Sequence, residues 1–427
     1  MRVSAWNIDR RRVVSVTVRP GDLICWMTSG VIFAKVGAPT HEIAGLTDSF
    51  ADIRPYKDDE VATVLTRLLG NPEFLDTLGA YRLGGWAKAC PALVRPLVRL
   101  ALAREVRFVS DVRSMQAVIE GYMARMIEST TGGFTVSGLE SLEPGEAHLF
   151  ISNHRDIAMD PAFTNFVLHS RGRETVRIAI GDNLLTTPWV SDLMRLNKSF
   201  IVKRSVSGPR ELLAASKNLS RYIQHSITED QAPVWIAQRE GRAKDGVDRT
   251  EPVIIKMLSM SRNKRTQSFA QHIQSLRIVP VAISYELDPC DASKANELYQ
   301  VATHGIYNKG EQEDVASIAR GIAGDKGRVH VSFGKPLGAG FDSPEAVATE
   351  LDRQIISEYC LHPTNLYAHR RLHGTDAPVP DNLNLEGGDC SEEEFQARID
   401  ALPRAHQSYA LGIYANVVAS KLALTGN

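Results

Sequence analysis

Short apolar runs alternate with longer amphipathic stretches between about residues 134 and 338. Seven runs rich in β-branched and aromatic residues predict strands at 134–136, 148–151, 176–180, 200–202, 234–236, 278–285 and 329–333. Helical periodicity predicts helices at 161–169, 211–225 and 266–276. Pro280 favours an edge or bulge position for the run that contains it. This alternation predicts an α/β domain with a mainly parallel or mixed sheet.

The segments on either side have a different pattern. Val61, Val64, Leu65 and Leu68 fall on one face of a helix, and a helical tail with a polar interruption at 373–388 follows Pro336. Residues 13–18 alternate like a strand without an evident partner. We therefore divide the chain into an uncertain N-terminal segment (1–50), a helical region (51–133), the α/β domain (134–338) and a helical C-terminal region (339–427).

Composition excludes some classes of function. Lysine and arginine (49) nearly balance aspartate and glutamate (50), so no global charge favours nucleic acid as a partner. The five cysteines lack the spacing of a metal site or a disulfide framework, which fits a reducing cytoplasm. No uncharged apolar run reaches the ~18 residues of a membrane-spanning helix. Any membrane contact is therefore predicted to be peripheral.

The segment 82–107 is basic and apolar at once. Its cations are Arg82, Lys88, Arg95, Arg99, Arg104 and Arg107, against the single acid Glu105. Leucines and valines interleave with them. Two interpretations stay open at this stage: a segment lying on an anionic membrane surface, or a core helix whose arginines extend to solvent.

A histidine follows the predicted strand 148–151. In the run Ser152-Asn-His154, continuing to Asp160-Pro161, the histidine occupies a loop between strand and helix. A carboxylate beside a histidine makes a tunable general base. Asp160 and Pro161 predict an N-cap and a first helical residue, and the N–H groups of that helix start are candidates for stabilising an oxyanion. The plain alternative is that Asp160 only caps the helix.

Charged residues follow two other predicted strands. Lys203 and Arg204 come after the run 200–202, and Glu240, Gly241, Arg242 and Lys244 come after the run 234–236. An arginine fork suits bidentate capture of phosphate, and a lysine suits a point-charge contact. Glycine permits a tight turn, and the glutamate could accept from a hydroxyl or orient the arginine. The alternative is solvated charges at strand ends.

Taken together, these segments resemble the glycerolipid acyltransferases, in particular the glycerol-3-phosphate acyltransferase and 1-acylglycerol-3-phosphate acyltransferase group. The segments that carry the resemblance are 152–161, 200–204, 238–246 with 257–260, 278–286 and 327–337. The resemblance implies a glycerol-3-phosphate acyltransferase-like sheet flanked by helices, with a helical N-terminal region and a helical C-terminal tail. It implies that His154 and Asp160 are catalytic. It also implies a substrate-binding set, namely Lys203, Arg204, Glu240, Gly241, Arg242 and Lys244.

The sequence departs from the family pattern at two points. The family usually has four residues between the histidine and the aspartate, whereas five separate His154 from Asp160. A one-residue bulge in the loop accounts for this, with Asp156 as a rival partner for the histidine. In the third segment, Arg242 follows Glu-Gly at once and Lys244 comes two residues later, so either is a candidate for the phosphate-facing cation.

The resemblance implies an O-acyltransferase of phospholipid biosynthesis. Its donor would be acyl-CoA or acyl carrier protein, and its acceptor a hydroxyl of glycerol-3-phosphate or a related phosphorylated molecule. It implies no metal, no redox cofactor and no nucleic acid, and a cytoplasmic enzyme on the inner face of the membrane. The alternatives are a lysophosphatidate or other lysophospholipid acyltransferase, a non-catalytic phosphate- or lipid-binding protein on the same fold, and a hydrolase that uses His154 and water.

Overall fold

The computed structural model describes residues 2–7, 12–17, 48–83, 91–185, 187–310, 313–381 and 385–426. The chain divides into one unit up to Asp48 and a second from Ser49 onward. In the first unit, β1 (Arg2–Asn7) and β2 (Arg12–Thr17) pair antiparallel, and β2 contains most of the strand-like alternation at 13–18. The rest of the segment 1–50, up to residue 47, lies outside the described residues.

Among its described residues up to 130, the second unit contains four helices: α1 (Asp58–Gly70), α2 (Pro72–Leu83), α3 (Pro91–Glu105) and α4 (Val112–Thr130). The predicted apolar face of α1 is buried in a cluster with Val98 of α3 and Met115 of α4. The helical character predicted for residues 51–133 is therefore present in the part of that region that the structure describes.

A seven-stranded sheet forms the centre of the unit. Its strands are β3 (Gly133–Ser137), β4 (Leu149–Ser152), β5 (Arg177–Gly181), β6 (Ser199–Val202), β7 (Val234–Ala237), β8 (Ile278–Tyr285) and β9 (Arg328–Phe333). The spatial order is β3-β9-β8-β4-β7-β5-β6. Only the pair β8–β9 is antiparallel, so the sheet is mixed. All seven predicted strands are present, with ends that agree within one residue.

Helices cover both faces of the sheet, as a mostly parallel sheet requires. The predicted helices appear as α5 (Met159–Ser170), α7 (Pro209–Thr228) and α9 (Phe269–Ser275). Leu149 and Ile151 of β4 pack on one face with Ile223 of α7, and Phe150 packs on the other with Phe163 of α5. This alternation is the period of two expected for a strand. The α/β class is confirmed.

Four further helices in this region were not predicted: α6 (Pro188–Leu196), α8 (Pro252–Leu258), α10 (Asp291–His304) and α11 (Glu313–Ala323). The C-terminal region adds α12 (Pro344–Glu358), α13 (Pro363–His373), α14 (Glu392–Asp400) and α15 (Arg404–Thr425). No helix in the part of the chain that the structure describes is long and apolar enough to cross a membrane.

The edge position predicted from Pro280 is wrong, because β8 lies between β9 and β4. The register of β8 with β9 begins one residue later, at Val281 opposite Phe333. The carbonyl of Pro280 still accepts from the N–H of Gly334. The registered pairs of β8 and β9 therefore end next to the proline, whose nitrogen has no hydrogen to donate.

Candidate active site

Four neighbouring parallel strands, β4, β7, β5 and β6, end at the same edge of the sheet. The loop after β4 carries His154, the loop after β6 carries Arg204, and the loop after β7 carries residues 238–246. The carboxyl edge of a parallel sheet is where α/β proteins place their ligands. The candidate residues therefore come together along one edge.

His154 is held by Asp160, the partner favoured from the sequence. Nδ1 of His154 lies 2.9 Å from Oδ2 of Asp160, whose side chain is fully buried, whereas the histidine side chain keeps 14% of its surface exposed. The imidazole and the ring of Trp235 of β7 pack edge to face, with ring centroids 6.0 Å apart. The ring is thus fixed in orientation and still accessible.

The other contacts of Asp160 determine which imidazole nitrogen carries the proton. Its Oδ2 accepts from the backbone N–H groups of Arg155 at 2.7 Å and Asp156 at 2.9 Å. Because backbone N–H groups only donate, Oδ2 is an acceptor, and the proton of the shared hydrogen bond belongs to Nδ1 of His154. Nε2 is then left with its lone pair, as a general base requires.

Tyr285 completes the surroundings of Asp160. Its hydroxyl lies 2.6 Å from Oδ1 of the carboxylate. Burial, reinforced by the charge of Asp160, raises the pKa of Tyr285 well above its ordinary value. The phenol therefore stays protonated and donates a hydrogen bond to the carboxylate. Sequence reasoning missed this residue. Its only signal was its position at the end of the strand 278–285.

The helix after the loop begins earlier than predicted, and Asp160 is not its N-cap. The N-cap is Ala158, and α5 starts at Met159. The reason is Asp156, whose Oδ1 accepts from the N–H groups of Ala158 and Met159, both at 2.9 Å. The turn made by Asp156 accommodates the additional residue between His154 and Asp160. Because the N–H groups of Ala158 and Met159 already donate to Asp156, they are not available to an oxyanion.

Asp156 points away from His154. A Cβ built on Gly321 of α11 would lie 2.2 Å from Oδ2 of Asp156, so this carboxylate faces that helix. Burial and the nearby charge of Asp160 raise the pKa of Asp156. Its contacts are those of a residue that shapes the turn.

Buried hydrogen bonds of the two neighbours of His154 fix the loop that carries it. Asn153 exchanges two hydrogen bonds with the backbone of Ile283, donating at 3.0 Å and accepting at 2.8 Å. The guanidinium of Arg155 donates to Asp248 at 2.7 Å and to the carbonyl of Gly246 at 3.0 Å. The first pair ties the loop to β8, and the second ties it to the loop after β7. Neither pair was expected from the sequence.

Arg204 lies across the end of β5. A Cβ on Gly181 would lie 3.1 Å from Nε of Arg204, so the glycine leaves room for the guanidinium. Nη1 of Arg204 lies 3.3 Å from Glu240, and the arginine side chain is 40% exposed. The structure thus brings Arg204 and Glu240 together and leaves part of the arginine side chain exposed to solvent.

Two other predicted cations are engaged elsewhere. Lys203 forms an ion pair with Asp52, and Lys244 forms one with Glu297. Lys203 therefore does not share the environment of Arg204, although it precedes it directly. Each lysine is paired with a carboxylate that lies far from it in the sequence.

The loop after β7 is hydrogen-bonded to the backbone of His154. The N–H of Ala243 donates to the carbonyl of His154 at 2.7 Å, and Gly241 has a φ of 70°, which favours glycine. Arg242 is buried, and its Nη1 lacks a hydrogen-bond partner among the described residues, as does Nε of Arg239. Buried donors of this kind require an acceptor. An anion would supply one.

The chain is similar to known proteins over the region that contains the sheet. A family model described as acyltransferase matches residues 133–284. Among solved structures, the chain is similar to the 1-acyl-sn-glycerophosphate (LPA) acyltransferase PlsC from Thermotoga maritima, with 13% identity, a TM-score of 0.34, and coverage of 57% of this chain and 78% of that chain. A search of curated proteins gives no match. The family match spans β3 to nearly the end of β8, and contains His154, Asp160 and Arg204.

Proposed function

We propose that this chain, whose residues 133–284 match the acyltransferase family model, transfers a fatty acyl group from a thioester to a hydroxyl of glycerol-3-phosphate or a related phosphorylated acceptor. The donor is acyl-CoA or acyl carrier protein. The observation that carries the proposal is the hydrogen bond between His154 and Asp160 at the carboxyl edge of the sheet, which leaves one imidazole nitrogen available as a base.

The proposed reaction needs only the residues of this edge. Nε2 of His154 takes the proton of the acceptor hydroxyl as its oxygen attacks the thioester carbonyl. The carboxylate of Asp160 stabilises the imidazolium that forms. When the tetrahedral intermediate collapses, the carbon–sulfur bond breaks and the imidazolium returns the proton to the thiolate. The products are an ester and a free thiol.

The acceptor phosphate is proposed to bind at Arg204 and Arg242. Arg204 is partly exposed and contacts the carboxylate of Glu240, and Arg242 has a buried donor without a partner among the described residues. Lys244 is already paired with Glu297. These contacts favour Arg242 over Lys244 as the phosphate-facing cation of its segment.

Arg204→Ala is expected to raise the Michaelis constant for the phosphorylated acceptor by about ten- to a hundredfold, with little change for the acyl donor. The lost charge-assisted hydrogen bonds are worth about 1.5–3 kcal/mol. Two titrations on the variant, one of acceptor and one of donor, measure this. Arg204→Lys should rescue only in part, because it keeps the charge without the planar fork.

Lys203→Ala is the matched control, since its ion pair with Asp52 removes it from the proposed phosphate site. We expect the acceptor constant of this variant to stay near the wild-type value. A rise in the donor constant of Arg204→Ala at an unchanged acceptor constant would contradict the proposal. These cations would then bind phosphates of the carrier.

The acylation assay that tests the function uses purified protein, palmitoyl-CoA or palmitoyl-carrier protein, and a panel of acceptors. Glycerol-3-phosphate, lysophosphatidate and unphosphorylated glycerol are compared by mass spectrometry of the products. Ester formation with a phosphorylated acceptor supports the proposal, and lysophosphatidate alone would select the lysophospholipid alternative. Release of free fatty acid without ester would favour a hydrolase, and no turnover would favour a binding protein.

A membrane contact through α3 is part of the proposal. Three leucines one helical turn apart on this helix are exposed: Leu93 by 70%, Leu97 by 64% and Leu100 by 51%. Phe108 is exposed by 78%, with the guanidinium of Arg107 over its ring. The opposite side of the helix packs inward through Val98. The helix thus packs in the core through one face and leaves a second apolar face exposed, which supports the proposed membrane contact.

The cations of the segment 82–107 contribute unequally. Arg95 is bound to Asp76 through two hydrogen bonds of 2.7 Å. The side chain of Arg82 and residue Lys88 lie outside what the structure describes. Three cations have no carboxylate partner among the described residues, namely Arg99, Arg104 and Arg107. They are therefore the cations available to anionic lipid head groups.

Replacing Leu93 and Leu97 together with serine is expected to weaken binding to anionic phospholipid vesicles by at least about tenfold. Each buried leucine contributes about 1.5–3 kcal/mol, of which only part is realised at an interface. Co-sedimentation with vesicles that contain phosphatidylglycerol measures the change. Val301→Ser, at an exposed apolar position on α10, is the control. Equal binding by the double variant and wild type would contradict this contact.

A further inference from the structure

Strand pairing and one isolated bridge bring a histidine, a cysteine and a glutamate together away from the loop of His154. His330 lies in the middle of β9, Cys360 follows α12, and Glu386 precedes α14. One ligand atom from each side chain lies within 4.8 Å of the other two. We propose that these three residues form a binding site for one zinc ion.

The backbone itself sets this arrangement. His330 pairs with Ser284 across β8 and β9, and the hydroxyl of Ser284 accepts from the N–H of Cys360 at 3.0 Å. Leu361 and Leu385 form an isolated bridge, and the N–H of Glu386 donates to the carbonyl of Leu361 at 3.0 Å. The neighbours of that bridge, Cys360 and Glu386, therefore meet beside His330. The three ligands come from separate segments, each fixed by backbone hydrogen bonds.

The ligand types select the metal. A thiolate, an imidazole and a carboxylate match zinc, a borderline-soft ion that accepts sulfur, nitrogen and oxygen. Calcium and magnesium prefer oxygen ligands alone, and a thiolate does not suit them. The charges of one thiolate and one carboxylate balance Zn²⁺. A fourth position is left for water.

The surroundings of His330 suit a ligand. Nδ1 faces the carboxylate of Glu386 at 3.3 Å and the hydroxyl of Thr135 at 2.7 Å, and Nε2 contacts the hydroxyl of Ser137 at 2.9 Å. If Nδ1 binds the metal, Ser137 accepts from Nε2–H, which is the outer hydrogen bond that metal-binding histidines usually make. Metal binding at Nδ1 would replace the present contact of this nitrogen with the hydroxyl of Thr135.

Access to the site is through Glu386. His330 and Cys360 are buried, whereas the side chain of Glu386 keeps 26% of its surface exposed. A metal can therefore enter from solvent past the carboxylate. Bound there, it would join β9 to the segments that follow α12 and precede α14. Sequence patterns do not indicate this site, because 29 and 25 residues separate the ligands and the spacing matches no short metal motif.

Tag-free, full-length protein treated with a chelator and then titrated with zinc tests the proposal. We expect one equivalent to bind, with Cys360→Ser and Glu386→Gln each lowering the affinity at least about tenfold, since even outer partners of metal ligands contribute about 10–100-fold. Cobalt in place of zinc should give a thiolate-to-metal charge-transfer band. That band should be absent in Cys360→Ser.

Cys390→Ser is the matched control, because Cys390 is a partly exposed cysteine outside the cluster. Its zinc affinity and cobalt band should equal those of the wild type. Thermal melts of metal-free wild type, Cys360→Ser and Glu386→Gln show that each variant folds before metal is added. Binding of the same strength in Cys360→Ser, loss of the band in Cys390→Ser, or the lack of one tight equivalent in the wild type would each overturn the proposal.

Discussion

Replacing His154 with alanine is expected to lower the rate of acyl transfer by about 10²–10⁴-fold while the protein stays folded. In the proposed reaction this side chain supplies the base at Nε2, and the described loop holds no second imidazole beside a buried carboxylate. The fold should tolerate the change, because the loop is held by Asn153 and Arg155 through contacts that do not involve the imidazole.

Single-turnover rates with saturating donor and acceptor measure this loss, and a thermal melt checks the fold. His225→Ala is a suitable control, since His225 lies near the end of α7, 43% exposed, with Asp230 as its partner. This control should keep its full rate. If folded His154→Ala turned over near the wild-type rate, His154 would not be the base.

The strands were predictable because their signal is local. Short runs of β-branched and aromatic residues, such as 278–285, stand out wherever both faces of a sheet are buried. The helices α6 and α8 are nine and seven residues long and begin with Pro188 and Pro252. In a sequence, a proline predicts a break as readily as a first helical turn, so these helices gave a weaker signal.

The candidate site was predictable where one segment supplies both partners. His154 and Asp160 are six residues apart, and the loop geometry lets them meet in spite of the extra residue. Tyr285 reaches the same carboxylate from a strand 125 residues later in the chain. No local pattern encodes such a contact, since it depends on the order of the strands in the sheet.

The role of each cation depends on contacts that are distant in the sequence. Lys203 is neutralised by Asp52 and Lys244 by Glu297, whereas Arg204 meets Glu240 at the same edge. All three are charged residues after or near a strand end. Their environments differ because Asp52 lies in the turn before α1, and Glu297 lies on α10, a helix that was not predicted from the sequence.

Asp160→Asn is expected to lower the rate by about 10²–10⁴-fold, close to the effect of losing His154 itself. The amide oxygen of asparagine can still accept from the N–H groups of Arg155 and Asp156, so the turn is kept. The negative charge that stabilises the imidazolium is lost, and a base and its partner act as a unit. The steady-state rate at saturating substrates measures the loss.

Two further variants separate this effect from general damage to the loop. Tyr285→Phe removes only the hydrogen bond to Oδ1, worth about 1.5–3 kcal/mol for a charged acceptor, so its rate should fall by less than that of Asp160→Asn. Asp156→Asn keeps an oxygen for the N–H groups of Ala158 and Met159 and should leave the rate largely intact. If Asp156→Asn abolished turnover and Asp160→Asn did not, the histidine would take its orientation from Asp156, and the hydrogen bond to Asp160 would have no catalytic role.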